Sequence, residues 1–465
     1  MVRRSALAIP ILALLQTGAL AQQASPPFQP STDQGLFLIV TDIHFDPFTD
    51  ASLVPQLDQS PVSDWSSIFT RGTGGIQGYG KDAGHDLMVS AFNAAAALGL
   101  TYDYVLYTGD YLSHGFNEKY QATAGPSPQG VEPFAVKTAQ YVSRLIGETF
   151  DDIPVFGVLG NTDSACGDYE IAPGGAFLAG LQEQWAALSH QPTRFHDFPQ
   201  GGAYKTAHPT LADTDLIALN NIFWTPRYSD RCNPDGGDPG AQMMSWLEQQ
   251  IADTHKAGRK AQLLLHVPPG INAYSTTHGK GTCDATISPF WRAPFPSDFQ
   301  QLMQRYAGVV TYSFSGHTHM DSFAVIADGD GAPLIASQIT PAVSPIFGNN
   351  PAFAVFLYDR TSGDIDDSAT YYLSNLAGAA TGEDPIWQLE YRYRDTFSLA
   401  DLSPASRASL AARIKTDEAV RTRFSTLYTV SATDGPVTAS NWKAYACAQS
   451  AIGRDAYKTC YCDSD

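Results

Sequence analysis

An α/β fold is predicted by three observations. The chain has 465 residues, 43% of them hydrophobic, enough to bury a large core. Short apolar or β-branched runs at 36–40, 104–107, 154–159, 261–265 and 309–314 alternate with stretches of helical period. Each of these five runs ends in a cluster of polar residues, as buried strands do where an α/β sheet keeps its ligands.

Taken in chain order, residues 1–21 are predicted to be a signal peptide. Arg3 and Arg4 precede an apolar stretch, and Ala19-Leu20-Ala21 is a small-x-small cleavage pattern before Gln22. Residues 22–35, rich in Gln, Pro and Ser, read as a flexible lead-in. Strand–helix alternation then runs through 36–380. Helices are expected at 86–98, 133–150, 176–188, 240–256 and 297–306, with Phe134, Val142, Leu145 and Ile146 forming the core stripe of the second and Met243, Leu247 and Ile251 that of the fourth. Long Gly-, Pro- and Asp-rich loops at 49–81, 111–131, 224–239 and 272–295 are expected to wall a substrate cleft. After Thr381 a final strand at 387–392 and helices at 403–415, 418–426 and 439–451 form a small cysteine-bearing subdomain, 381–465.

The formal charge of −19 repels nucleic acid and anionic membranes, so no nucleic-acid polymer is expected as a partner and any phosphate must be held locally. No run of about 18 uncharged apolar residues follows the leader, so no stable membrane insertion is expected. An exported protein with six cysteines points to disulfides and to a secreted or periplasmic location. Cys460 and Cys462 are too close to pair with each other, and Cys447–Cys460 is the pairing favoured among fifteen. No Asn-x-Ser/Thr sequon occurs, which fits a bacterial exported protein better than a lysosomal one. The sequence does not set the oligomeric state.

The polar clusters read Thr41-Asp42-Ile43-His44, Thr108-Gly109-Asp110, Gly160-Asn161-Thr162-Asp163, Leu265-His266-Val267-Pro268-Pro269 and Gly316-His317-Thr318-His319. If the five runs are neighbouring strands of one sheet, Asp42, His44, Asp110, Asn161, His266, His317 and His319 meet at one rim. That is a seven-ligand site for two divalent metal ions. A carboxylate such as Asp110 can bridge two cations, and the mixed oxygen and imidazole set suits zinc, with iron or manganese as alternatives. A single His or Asp at a strand end is usually a hydrogen-bonded structural residue; seven in this order are not. His85, His196 and His208 carry no such spacing and are expected to be structural. His278 lies in a loop after a ligand-bearing strand, where it can touch substrate. Trp224, Tyr228 and Trp291 lie in long loops, where an aromatic either stacks on substrate or anchors the loop.

These clusters resemble the signature of the calcineurin-like metallophosphoesterases, D-x-H, GD, GN[HD], an isolated H and GHxH, over about residues 36–320. The resemblance implies a four-layer αββα sandwich with the helical C-terminal subdomain attached. It also implies that Asp42, His44, Asp110 and His319 hold one metal and Asp110, Asn161, His266 and His317 the other. Cations about 3.5–4 Å apart then polarise a phosphoryl oxygen and deliver hydroxide to a phosphodiester or phosphoanhydride. A finer resemblance is to the acid sphingomyelinase-like phosphodiesterases. It rests on Tyr79-Gly80, on Asp110 followed four residues later by His114, on His266-Val267-Pro268-Pro269-Gly270, on Asn349-Asn350-Pro351 and on the cysteine-bearing tail. It implies small phosphate esters, nucleotides first, as substrates, with phospholipid headgroups and polyphosphate as alternatives.

Two departures matter. The lead-in leaves no room for a saposin-like lipid-handling domain, so extraction of sphingomyelin from a bilayer is not expected. Thr162 stands where the common motif has a histidine, so another group must protonate the leaving oxygen. His114 is the candidate, since an imidazole donates a proton near neutral pH; Asp163 is the second, orienting a water or a ligand imidazole. Ser113 stands where purple acid phosphatases have tyrosine, so no iron–tyrosinate band is expected. The rival classes are a catalytically silent metal-binding protein and a metal-free phosphate- or lipid-binding module.

Overall fold

A computed structural model describes residues 26–150, 153–233 and 236–463. The predicted leader and the first residues of the lead-in lie outside that range. The end of the lead-in is packed: Phe28 is buried beneath the Arg392 guanidinium.

Twelve strands form two six-stranded sheets. They are β1 (Gln34–Val40), β2 (Tyr104–Tyr107), β3 (Val155–Gly157), β4 (Tyr204–Ala207), β5 (Thr214–Ala218), β6 (Lys260–Leu264), β7 (Val310–Ser315), β8 (Ser322–Ala327), β9 (Pro333–Ile339), β10 (Ala352–Asp359), β11 (Ile365–Leu373) and β12 (Trp387–Arg392). The first sheet runs β12-β11-β10-β1-β2-β3 and the second β4-β5-β6-β7-β9-β8. The five ligand-bearing runs therefore do not share one sheet, as the simplest reading of the sequence had them. β1, β2 and β3 are parallel neighbours in the first sheet, and β6 and β7 are parallel neighbours in the second. Both sets end at the same rim.

Continuous apolar runs such as Leu36 to Val40 are buried along their whole length because each sheet is covered on both faces. Between the sheets, Phe37 of β1 meets Phe314 of β7 edge to face at 5.4 Å. Outside the first sheet lie helices His85–Ala96 and Ala176–Leu188, with Val131–Thr149 packed on both. Outside the second lie Pro239–Lys256, Phe295–Arg305 and Pro404–Thr416. This is the four-layer helix–sheet–sheet–helix arrangement. In Pro239–Lys256 the stripe Met243, Leu247, Ile251 is buried, and the Asp238 carboxylate caps the first turn by accepting from the Gly240 and Ala241 N–H groups.

The loop 49–81 does not wall the cleft. It folds into the short helices Val54–Gln59 and Trp65–Phe69 and buries Trp65 in the core. Trp224 and Trp291 are loop anchors, packed edge to face at 5.0 Å with their indole N–H groups donating to the carbonyls of Gly240 and Val267.

β12 pairs with β11 in the first sheet, and the helical tail follows it as Tyr393–Phe397, Pro404–Thr416, Glu418–Tyr428, Trp442–Ala448 and Arg454–Tyr461. Three disulfides staple the described chain: Cys166–Cys232, Cys283–Cys462 and Cys447–Cys460. Cys460 and Cys462 each pair elsewhere, as their closeness requires. Cys283–Cys462 ties the loop after β6 to the end of the tail across 179 residues. Replacing both of these cysteines by serine is expected to destabilise the protein by about 2–5 kcal/mol and to open the tail to limited proteolysis. A melting temperature and digestion pattern like those of the parent would contradict that role.

Candidate active site

Five short loops at the shared rim carry the predicted ligands, and their backbones are locked together. Asp42 and His44 donate N–H to the carbonyls of Gly109 and Asp110, joining the loops after β1 and β2. Gly316 N–H donates to the His266 carbonyl, joining those after β6 and β7. The sheets are bridged where His317 N–H donates to the Asp42 carboxylate and where His266 Nδ1 lies 2.7 Å from the Thr108 carbonyl. Two glycines are required by space alone. A Cβ on Gly316 would overlap the Asp42 carboxylate, and one on Gly160 would overlap Asp110.

Asp42, His44, Asp110, His317 and His319 all adopt positive φ, between 46° and 70°. Such backbone is uncommon outside glycine and costs about 1–3 kcal/mol per residue, so it persists only where its surroundings over-determine it. Here it brings residues two apart in the chain, Asp42 with His44 and His317 with His319, to one centre.

All seven predicted ligands converge. His44 Nε2 and His266 Nε2 lie 3.2 and 3.1 Å from the same oxygen, Oδ2 of Asp110. His44 Nε2 is also 3.1 Å from His319 Nε2, and His319 Nε2 is 3.6 Å from Asp42 Oδ1. On the other side, Asn161 Oδ1 lies 3.2 Å from His266 Nε2 and 2.9 Å from His317 Nδ1. The orientations are fixed from behind. Nδ1 of His44, His266 and His319 face the carbonyls of Leu112, Thr108 and Ser344, so each of these rings carries its proton there and turns a bare Nε2 inward. Asn161 Nδ2 donates to Asp168 Oδ1 at 2.7 Å, which leaves its oxygen facing the imidazoles.

In that arrangement the lone pairs of His44 and His319 point at each other across 3.1 Å. A cation between them is the arrangement that removes the repulsion, and the nitrogen and oxygen donors match what a divalent transition metal takes. Without a cation, protons take its place. Burial opposes charge on His44 and His266, but the Asp110 carboxylate outweighs it and pushes them up to about 10 and about 9. Burial and the neighbouring His266 charge hold His317 down at about 3, and burial and His44 hold His319 well below the usual imidazole range. The residues fit the two-metal centre: Asp42, His44 and His319 on one side, His266, His317 and Asn161 on the other, with Asp110 between.

Thr162 tethers Asp110. Its N–H donates to Asp110 Oδ1 at 2.9 Å, and its hydroxyl lies 3.0 Å from that oxygen and 2.8 Å from the Leu112 carbonyl. Asp163 is engaged by backbone rather than by a ligand imidazole: its carboxylate accepts from the N–H groups of Asp110, Tyr111, Leu112 and Gly160. Burial and the Asp110 charge push it up to about 7, while the N–H donors favour the charged form.

His114 stacks on His44 with ring centroids 4.1 Å apart and is about one-third exposed. Its Nδ1 lies 2.9 Å from Asp82 Oδ1, and its own N–H donates to Asp82 Oδ2. Asp82, buried, also receives Lys119 Nζ at 3.2 Å. Burial alone would raise the Asp82 carboxyl, but the His114 hydrogen bond and the surrounding cationic groups carry it below the usual range. Sequence reading missed Asp82, whose spacing from the other motifs is irregular, and Asp168.

Above the centre lies a cleft of about 770 Å³ with Asp110, His114, Asn161, His317 and His319 at its base. Its walls come from the loop 272–295, including Tyr274, His278 and Phe290, from Thr225 to Arg227, from Phe347, and from Tyr428, Tyr445 and Gln449 of the tail. Phe347 is 55% exposed and its ring sits 4.6 Å from that of His319. Two sequence-distant motifs also meet where the Tyr79 hydroxyl donates to Asn350 Oδ1. Of the other histidines, buried His208 bonds Tyr104 and half-buried His85 bonds Tyr141.

Comparison with known proteins agrees with this geometry. The signature of the calcineurin-like phosphoesterases matches residues 35–321, and that of the acid sphingomyelin phosphodiesterase C-terminal region matches residues 332–464. The chain is 28% identical over 452 residues to acid sphingomyelinase-like phosphodiesterase 3b of Homo sapiens, covering 92% of this chain and 90% of that one. It is 26% identical over 395 residues to the cyclic GMP-AMP phosphodiesterase SMPDL3A of Mus musculus, covering 83% and 81%. With sphingomyelin phosphodiesterase B of Dictyostelium discoideum it shares 24% identity over 400 residues, covering 82% and 57%. With its fold, its ligand set and both signatures in agreement, the chain belongs to the calcineurin-like phosphoesterase family, in the acid sphingomyelinase-like branch, and is a metal-dependent phosphodiesterase.

Proposed function

We propose that the protein hydrolyses small phosphodiesters or phosphoanhydrides of the nucleotide type, outside the cytosol, with zinc as the metal at both positions. The observation that carries this reading is the cleft. At about 770 Å³ it is of the size that encloses a nucleotide, and it combines a metal-ligand floor with aromatic walls at Tyr169, Tyr274, Phe290 and Phe347 on which a base can stack. The SMPDL3A relative is named for a cyclic dinucleotide, which agrees with a nucleotide-type substrate. Three disulfides suit an oxidising compartment, and among the described residues no helix is long and apolar enough to cross a membrane.

Divalent cations, when bound, supply Lewis acidity toward the phosphoryl group and lower the pKa of water. The chain's own residues do the rest. Asp110, fixed by Thr162 and by the loop that Asp163 clasps, keeps the two halves of the centre in register. His114 is the proton donor. Asp82 accepts its Nδ1–H and orients the ring, so Nε2 is the atom that gives a proton to the leaving oxygen. Lys119, which bonds both Asp46 and Asp82, keeps that carboxylate in place.

Three outcomes are expected. His114→Ala should lower kcat by about 10²–10⁴ on alkyl diesters, and much less on p-nitrophenyl diesters, whose leaving group departs without a proton, while metal content stays that of the parent. Equal loss of metal and activity would refute the donor role. Loading the metal-free protein at pH 7 should release protons from His44 and His266, and apparent affinity should rise with pH until about 9 to 10, where both imidazoles are bare. Calorimetry in buffers of different ionisation enthalpy reads this directly, and pH-independent binding would count against it. Finally, elemental analysis with a panel of dinucleotides, nucleoside triphosphates, sphingomyelin and polyphosphate tests the substrate class; a preference for sphingomyelin would replace the nucleotide reading.

A further inference from the structure

We infer that Arg227 reads a second anionic group on the substrate, so that the favoured substrates carry a phosphate adjacent to the bond being cleaved. This rests on the nucleotide-type reading and narrows it. Among the described residues that line the cleft, Arg227 is the one arginine or lysine, in a chain whose net charge of −19 otherwise repels anions. A diester with a single negative charge is matched by the metal centre alone. A neighbouring phosphate needs its own cation.

The guanidinium is held in a fixed place. Its Nη2 donates to Asp168 Oδ2 at 3.0 Å, and its Cζ lies 4.3 Å over the Tyr169 ring. Only part of its fork is used this way: the side chain lines the cleft and is 67% exposed, so further N–H donors are free to meet an anion. The loops carrying these residues are fastened to each other by Cys166–Cys232, by the Arg231–Glu170 ion pair and by the Ser229 N–H donating to the Tyr169 carbonyl.

Asp168 links this fork to the metal centre. Its Oδ2 accepts from Arg227 and its Oδ1 from the Asn161 amide, whose own oxygen faces His266 and His317. One carboxylate thus joins the arginine to Asn161, and Asp168 is a positioning residue for both. A choline headgroup would bring a second positive charge toward one already there, which is a repulsive element against zwitterionic diesters.

The test compares metal-loaded parent and Arg227→Gln proteins on ADP-ribose, which has adjacent phosphates, and on bis-p-nitrophenyl phosphate, which has one. The variant is expected to lose at least tenfold more in kcat/KM on ADP-ribose than on the simple diester, chiefly through KM. Arg227→Lys should recover part of that difference, and rising salt should shrink it. An equal loss on both substrates, or none on either, overturns the inference while leaving the nucleotide reading intact. If the parent cleaves bis-p-nitrophenyl phosphate but not ADP-ribose, the nucleotide reading fails and takes this inference with it.

Discussion

A single carboxylate oxygen, Oδ2 of Asp110, is approached at 3.2 Å by an imidazole carried on the first sheet and at 3.1 Å by one carried on the second. Much of the architecture serves to keep it there. The two sheets must end at the same rim, the loops after β1 and β2 must be joined by backbone hydrogen bonds, and the other oxygen of the carboxylate must be tied down by Thr162. None of these devices is costly alone. Together they hold five residues at positive φ, a conformation that isolated loops of Asp and His would abandon.

This constraint explains why the supporting residues matter as much as the candidate ligands. Asp163 collects four N–H groups from two loops, and without it the turn presenting Asp110 would carry unpaired buried donors. Three carbonyls, of Leu112, Thr108 and Ser344, choose the tautomers of three histidines. The Ser344 carbonyl is itself held by the Asn349 side chain, so the Asn349-Asn350-Pro351 segment reaches the centre through His319.

The parts of the molecule that were legible in the sequence are those governed by short-range pattern. Ala176–Leu188 is read to the residue, and the helices 86–98 and 240–256 differ by one or two residues at their ends, because an apolar stripe at helical period is a local signal. The convergence of the seven candidate ligands was legible because their residue types recur at strand ends in a set order. Which sheet each strand joins was not legible, since β6 and β7 look no different in sequence from β1 and β2; pairing is decided by long-range packing such as Phe37 on Phe314. Asp82 and Asp168 were hidden for a related reason. Each lies in a loop, at no fixed spacing from His114 or Asn161, and acquires its role only when the chain folds back. Trp65 shows the converse: a Gly- and Pro-rich stretch looks like open loop until a buried indole pins it.

The cleft draws its base from residues 110–319 and part of its roof from Tyr428, Tyr445 and Gln449, with the Cys283–Cys462 bridge fastening the tail to the loop that forms one wall. The candidate metal centre and part of the roof are thus encoded in separate stretches of the chain, while the other walls, Arg227 and the loop 272–295 among them, share the centre's own stretch. A substitution at Tyr428, Tyr445 or Gln449 can therefore reshape that part of the entrance without touching any side chain gathered around Asp110.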